Sequence, residues 1–308
     1  MSPNLLATIA INNYNYGKFL PEAIDSALNQ TYPHKEVVVV DDGSTDNSPE
    51  IIAGYGDKIV PVLKENGGQA SAFNAGFTAS RGDVVFLLDA DDLFLPNKVA
   101  EVMDKFEKYP GIGWCFHPQK LVDSDGNEMG AIAVDLRSSG EYDFRPYLKK
   151  GKLNPYLPPC GLPATSAFCF RRSLLEQMMP MPKAQTVLIN DNYLKFLALV
   201  LAKGFIIDEQ LSIQRIHENN AFTPLSCDRT RVIAKSDLLT AYWMRDKFPV
   251  ISPFTNNTLA SVLSRYWHTG GIETEAKIWI DKYLAQTSWR ERLTIYLKSL
   301  YYSIKWQN

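Results

Sequence analysis

The first hundred residues predict a doubly wound α/β sheet, and the end of the chain predicts a helical extension. Three observations carry this. Apolar runs rich in β-branched residues, Val37 to Val40 and Val84 to Leu88, read as strands covered on both faces. Helical patterns separate the strand patterns, giving a βαβαβαβ rhythm that implies right-handed crossovers. Both apolar runs end in carboxylates, at the sheet edge where open α/β folds bind their ligands.

The elements follow in order. Leu5 to Ile11 is the first strand. Pro21 to Asn29 is a helix with Pro in its first turn and a stripe of Leu20, Ile24 and Leu28. Val37 to Val40 is the second strand. Ser48 is placed to cap a helix that starts at Pro49 and ends near Gly54 or Gly56. Ile59 to Leu63 is the third strand, Gln69 to Ser80 a helix stopped by Gly82, and Val84 to Leu88 the fourth strand. Beyond it lie a helix over Asn97 to Tyr109, a strand over Gly113 to His117, and a turn at Asp125-Gly126. Asn154 to Pro163 is a Pro- and Gly-rich loop or flap. A strand over Thr165 to Phe170, a helix over Ser173 to Met179, a helix over Asp191 to Lys203 and a strand over Leu211 to His217 complete this part. From Asp228 the pattern is helical, with breaks at Pro249, Pro253 and Gly270-Gly271.

Composition narrows the function. The 308 residues are 45% apolar and 21% charged, as in ordinary globular proteins, and the net charge of -2 excludes a global basic field for nucleic acid. The apolar stretch Phe196 to Ala202 falls far short of the roughly 18 residues of a spanning helix. Met1 to Ile11 has no basic n-region, so no signal peptide is expected. Cys115, Cys160, Cys169 and Cys227 lack zinc or redox spacing and suit a reducing cytoplasm.

The segment V-V-F-L-L-D-A-D-D places Asp89, Asp91 and Asp92 directly after the fourth strand. Clustered carboxylates repel one another unless a cation neutralises them, which suggests Mg or Mn shared with a phosphate. A solvated acidic turn leading into the next helix is the competing reading. The second strand ends with Asp41 and Asp42 in D-D-G-S-T-D, where a carboxylate can accept a hydrogen bond from a base or a ribose; a plain tight turn explains the same residues. Two strands of one array ending this way are stronger than either alone. No G-x-G-x-x-G follows the first strand, where Gly17 stands alone, and no G-x-x-x-x-G-K-[ST] occurs. The sheet therefore suits a nucleotide whose phosphates are held by metal.

The motifs I-x-x-Y-N, V-V-V-D-D-G-S-T-D, N-G-G-Q-A-S-A-F-N-A-G and R-G-D-V-V-F-L-L-D-A-D-D resemble those of the family-two inverting glycosyltransferases. The likeness is specific over Leu5 to Lys98, looser to His217, and absent after Phe222. It implies a GT-A fold: a Rossmann-like, mostly parallel central sheet with helices on both faces. On that basis residues 1–222 form the glycosyltransferase domain (1–98 the nucleotide half, 99–222 the acceptor half), and 223–308 a helical extension.

The resemblance also implies roles. Tyr14, Asn15, Asp41, Asp42, Asn66, Gly67, Asn74, Asp89 and Asp91 would bind the nucleotide-sugar, with Asp42 reading the base. Asp91, Asp92 and His217 would hold the divalent metal, Mn or Mg. Asp191, in I-N-D-N-Y-L, matches the general base; an N-cap role is compatible with it. Pro163 to Arg172 matches the acceptor side, with Arg171 and Arg172 either pairing with phosphate or forming a surface pair. The partners implied are a nucleoside diphosphate sugar and a saccharide or lipid-linked acceptor, in cell-surface polysaccharide assembly. Three residues depart from the pattern: Asn12 stands where Pro is usual, Phe73 where many members carry Arg, and Gln214 where Tyr is usual. The Phe73 change bears on how donor phosphates are held. A non-catalytic nucleotide-sugar-binding partner is the alternative function, disfavoured by Asp191 together with the complete acidic segment. A sugar-nucleotide pyrophosphorylase would need a glycine-rich, basic loop that is missing.

At the C-terminus Trp289, Leu293, Leu297, Leu300 and Ile304 recur at helical spacing among Arg290, Arg292, Lys298 and Lys305, with Glu291 the only acid. Such a helix either lies at a membrane surface or packs on its own domain or on a second subunit.

Overall fold

The computed structural model describes residues 5–129, 139–151, 163–182, 191–218, 220 and 228–305. Most of the loop expected over Asn154 to Pro163, both Cys160 and Cys227, Asn190, and the expected boundary at residue 222 lie outside the described residues. The chain forms two compact units. The first comprises Met1–Asp143, Pro159–Lys183 and Leu201–His217; the second comprises Phe144–Pro158, Ala184–Val200 and Glu218–Asn308.

The elements of the chain are β1 Ala7–Asn13, α1 Leu20–Leu28, β2 Lys35–Asp41, α2 Ser48–Gly54, β3 Val60–Leu63, α3 Gln69–Ala79, β4 Val84–Asp89 and β5 Leu93–Phe94. They continue with α4 Lys98–Lys108, β6 Trp114–Phe116, β7 Gln119–Val122, β8 Gly140–Tyr142, α5 Arg145–Leu148, β9 Phe168–Arg171, α6 Arg172–Met178 and α7 Asn192–Leu201. The last are β10 Gly204–Ile206, β11 Ser212–Arg215, α8 Asp228–Lys247, α9 Ser252–His268, α10 Thr274–Ala285 and α11 Trp289–Lys305.

In the first unit eight strands form one sheet in the order β3-β2-β1-β4-β9-β6-β10-β8. The first four are mutually parallel, and β9 runs antiparallel to both β4 and β6. A small second sheet, β5-β11-β7, stands apart from it. The strand order reverses between β1 and β4, which makes that crevice the switch point of the sheet.

Alternation along the central strands explains the helices on both faces. Ile9, Ile11, Val37, Val39, Phe86 and Leu88 bury against Leu20, Ile24 and the apolar stripe of α4. Val38 and Val40 face the other way and pack on Ala72 of α3. The strands expected at Val37 and Val84 are therefore covered on both sides. The long elements fall within a few residues of their predicted limits. Short strands β5, β8 and β10 carry too few residues to show a period. The predicted strand over Thr165 to Phe170 opens instead with a 3₁₀ turn, Thr165–Ala167. Ser48 is the first residue of α2 rather than its cap; the Asp46 carboxylate accepts the Ser48 N–H at 3.0 Å and the Gly17 N–H at 2.8 Å.

Close approach of β10 to β6 depends on Gly204, which pairs in register with fully buried Trp114. A Cβ at Gly204 would lie 1.9 Å from the indole. We expect Gly204→Ala to destabilise the chain by about 3 kcal/mol, since a packed indole cannot withdraw. A urea midpoint equal to that of the parent would refute this.

Among its described residues the second unit contains helices and no strand, and from Asp228 it follows the predicted helical pattern. Its core contains Leu238, Leu259, Leu263, Tyr266, Ile280, Tyr283 and Ile295. Gly270 and Gly271, at φ 92° and 102°, separate α9 from α10. Pro253 sits in the first turn of α9 and breaks nothing. Fully buried Asp237 pairs with Arg265 at 2.8 Å.

Candidate active site

Three loops at the C-terminal ends of β1, β2 and β4 build the site. The chain leaves β1 through Tyr14, which is exposed, and Asn15, whose φ of 58° Asn tolerates better than most residues. The Asn15 N–H donates to Ser44 Oγ at 2.8 Å, and Asn15 Oδ1 accepts the Thr45 N–H at 2.8 Å. These bonds stitch the β1 loop to the β2 loop. Asp41 reinforces the seam: its carboxylate accepts from Asn13 Nδ2 at 2.7 Å, Ser44 N–H at 3.0 Å and Ser44 Oγ at 2.6 Å.

Asp42 is equally buried and serves the next loop. Its carboxylate takes the Gly68 N–H at 2.7 Å, the Gly67 N–H at 3.1 Å and the Lys64 ammonium. Gly43 permits this approach: at φ +77° a Cβ would strike the Asn66 backbone nitrogen at 2.6 Å. Asn66 and Gly67 are thus held against Asp42. The Asn74 amide donates to Met181 O at 2.9 Å and accepts the Met181 N–H at 2.6 Å.

Register fixes how the acids relate. Asn12 of β1 lies beside Asp89 of β4, and Asn13 beside Asp41 of β2. The two acidic strand ends flank β1, so their backbones lie about 10 Å apart, two strand spacings. Asn12 is 9% exposed, and neither of its amide atoms has a hydrogen-bond partner among the described residues.

Past β4 the Asp89 N–H donates to Ser166 Oγ at 3.0 Å, and the same hydroxyl hydrogen-bonds Asp92. Asp92 Oδ1 also accepts the Arg215 N–H at 2.9 Å. Burial, then Asp91 and Asp89, push the Asp92 carboxyl well above the usual carboxylate range. His217 Nε2 lies 3.1 Å from Asp91 Oδ2. The His217 ring stacks on Phe19 at 5.0 Å and meets the edge of Tyr16 at 5.5 Å. The Tyr16 phenol is pushed up by burial and then by Asp91, Asp89 and Asp92, which marks it as their neighbour. Arg215 bonds Glu22 at 2.7 Å and places its guanidinium over Phe19. Arg171 donates to the Ile112 and Phe106 carbonyls, and Arg172 to Gly82 O and Ser80 Oγ. Both arginines tie backbone segments together.

His217, from a distant stretch, is brought against Asp91, whereas Asp92 bonds the Arg215 N–H and Ser166. Among the described residues no group of three His, Cys, Asp or Glu side chains is arranged to hold a metal by itself. Asp191 belongs to the second unit. There its carbonyl accepts the Lys195 N–H at 3.0 Å and its carboxylate lies 3.9 Å from Lys195 Nζ.

Sequence reasoning missed Tyr16, Ser166, Lys64 and Lys98. Lys98 had a usable signal, because it falls on the apolar stripe of α4 with Val102 and Phe106. It is fully buried; its ammonium donates to Ser166 O at 2.5 Å and sits 3.4 Å from the Phe94 ring centre. Burial lowers its pKa to about 7 against the favourable influence of Asp92. Between pH 7 and the ordinary lysine value the unfolded chain keeps a proton that the folded chain sheds, so this group makes stability rise with pH across that window. Lys98→Met should flatten the rise. Denaturation midpoints at pH 7 and 9 measure it, and an unchanged slope in the variant would refute it.

The chain belongs to glycosyl transferase family 2, whose profile matches residues 8–192. An uncharacterized glycosyltransferase of Nostoc sp. (strain PCC 7120) is 35% identical over 217 residues, covering 69% of this chain and 65% of the relative. The chain thus spans just under two thirds of that relative's length. Among solved structures, S. aureus TarS 1-349 in complex with UDP-GlcNAc matches with a TM-score of 0.66 at 16% identity, covering 97% of this chain and 89% of that one. The mannosyltransferase PcManGT from Pyrobaculum calidifontis, in complex with GDP-Man and Mn2+, matches with a TM-score of 0.54 at 19% identity, over 98% and 86% of the two chains. The fold is the expected GT-A arrangement, a mostly parallel central sheet accompanied by C-terminal helices.

Proposed function

We propose that this chain transfers a sugar, with inversion, from a nucleoside diphosphate donor to a saccharide or lipid-linked acceptor. One observation carries the reading: the acidic ends of β2 and β4 flank β1 at the switch point, with His217 brought against Asp91. Family membership and the sugar-nucleotides bound by the two structural neighbours agree with it.

Each residue then has a task. Asp42 holds the Asn66–Gly68 loop against the nucleoside; most of its acceptor sites are already used, so the loop backbone shares in recognising the donor. Tyr14, on the adjoining loop, is free to stack on the base. Asn12 offers an amide donor and acceptor, without a partner among the described residues, on the sheet face that Asp89 shares. Asp191 accepts the proton of the acceptor hydroxyl as its oxygen attacks the anomeric carbon. The bond from that carbon to the diphosphate oxygen breaks in the same displacement.

A divalent metal fits the donor set. A carboxylate and an imidazole face one another in Asp91 and His217, and Mg- or Mn-type sites take their remaining ligands from phosphate oxygens and water. Asp92 is partly committed to Arg215 and Ser166 and would act chiefly by holding the loop. When bound, the metal supplies charge stabilisation to the departing diphosphate.

We further assign the reaction to cell-surface polysaccharide assembly on the cytoplasmic side. Cys115 and Cys169 stand opposite each other on β6 and β9 as free thiols, which accords with a reducing compartment. Among the described residues no helix is long and apolar enough to cross a membrane. Proton NMR of product formed from an α-linked donor tests the mechanism. A β-anomeric signal is expected, and an α-linked product would overturn inversion.

A further inference from the structure

Helix α11 carries two apolar faces, and the fold uses one. Ile295 is fully buried in the helical core, with Tyr302 packed against the same cluster. Lys298 reaches Asn257 and Ser303 reaches His268, both on α9, so this side of the helix is anchored. On the opposite side Trp289, Leu293, Leu297, Leu300 and Ile304 are each more than half exposed. Tyr296 and Tyr301, 43% and 52% exposed, extend the same stripe. At 100° per residue these seven positions share an arc of roughly 140° along a helix of about 25 Å. Seven of the seventeen exposed large apolar side chains among the described residues therefore lie on one helix face.

The charges around the stripe select its occupant. Arg290 and Lys305 flank it at the two ends of the helix, each with its cation 5.3 Å from an adjacent ring, that of Trp289 or Tyr301. Arg292 is exposed beyond the other margin. Glu291, the single acid on α11, is consumed inside the unit by Arg245, Asn256 and Ser288. The exposed charge of the helix is thus wholly positive. A second copy meeting this face through a two-fold axis would bring like charges together with no acid on the helix to compensate. An anionic lipid surface neutralises them and receives the aromatic and leucine side chains in its interfacial layer.

We propose that the outward face of α11 docks this chain on an anionic bilayer, the helix lying in the interfacial plane. The inference is independent of the catalytic reading, because no donor, acceptor or acidic-site residue enters it.

Flotation of the full chain with vesicles of phosphatidylcholine alone, or containing phosphatidylglycerol at three parts in ten, tests the proposal. Recovery with the anionic vesicles is expected to exceed that with neutral ones by about tenfold at 0.1 M salt, and to fall as salt is raised to 0.5 M. Leu297→Glu with Leu300→Glu should lower the partition by about tenfold or more on both vesicle types. Arg290→Ala with Lys305→Ala should lower it on anionic vesicles alone. All four positions are exposed, so thermal melting of both variants should match the parent. Equal recovery of parent and Leu297→Glu/Leu300→Glu chains would overturn the proposal. So would a parent that stays with the soluble fraction while sedimentation shows a dimer that the glutamate pair dissolves, since that result assigns the face to a second copy.

Discussion

Replacing Asp191 with Asn is expected to lower glycosyl transfer by about 10²–10⁴-fold while changing donor affinity less than about twofold, the range a positioned general base supplies. The acceptor hydroxyl is a poor nucleophile until its proton leaves, and an amide cannot take that proton. The competing role is local. The Asp191 carbonyl accepts the Lys195 N–H, the first intrahelical bond of α7, as an N-cap residue does, and the Lys195 ammonium lies near its carboxylate. Capping contributes only about 1 kcal/mol and is served equally well by serine. Asp191→Ser therefore separates the roles: it should melt like the parent and be as inactive as Asp191→Asn. Single-turnover rates with saturating donor give the comparison. An active serine variant would remove Asp191 from the reaction.

Asp42→Ala should act through the fold before it acts on the donor. The carboxylate is buried and accepts from Gly67, Gly68 and Lys64. Removing it leaves two backbone donors and an ammonium without their acceptor, which we expect to cost about 3 kcal/mol of stability. The Asn66–Gly68 loop would then lose its register against β2, and donor affinity should fall by about tenfold or more even well below the melting range. Asp42→Asn keeps one acceptor oxygen and should lie between alanine and parent in both respects. Denaturation and donor titration on the three chains check the order. A stable Asp42→Ala chain with parental affinity would contradict it.

Much of this arrangement was legible in the sequence because period and composition carry it. The runs at Val37 and Val84 are long enough to demand cover on two faces, and parallel pairing then places Asp41, Asp42 and Asp89 on one edge. His217 was legible only through its Arg-Ile-His context, and its meeting with Asp91 depends on the three-stranded sheet that seats β11 between β5 and β7. Other features could not be read. A two-residue strand such as Leu93–Phe94 has no period. Asn74 reads as a donor contact by motif; that its amide also bonds Met181, over a hundred residues away, carries no local signal. Of Arg171 and Arg172, open between phosphate and surface roles, Arg171 ends on the Ile112 and Phe106 carbonyls, and Arg172 on the Gly82 carbonyl and the Ser80 hydroxyl. Ser166 and Tyr16 carry no spacing signal at all; they matter because folding brings them to the acids.

We propose that Asp42, Asp89, Asp91 and His217 form a single donor site completed by a divalent cation. Isothermal calorimetry with UDP-, GDP- and dTDP-sugars, each in Mn2+ and in EDTA, measures this. At least one donor is expected to bind about tenfold or more tightly with Mn2+, and Asp91→Ala to abolish the difference. Absence of binding by every donor under both conditions would contradict it, as would an affinity indifferent to both the metal and Asp91.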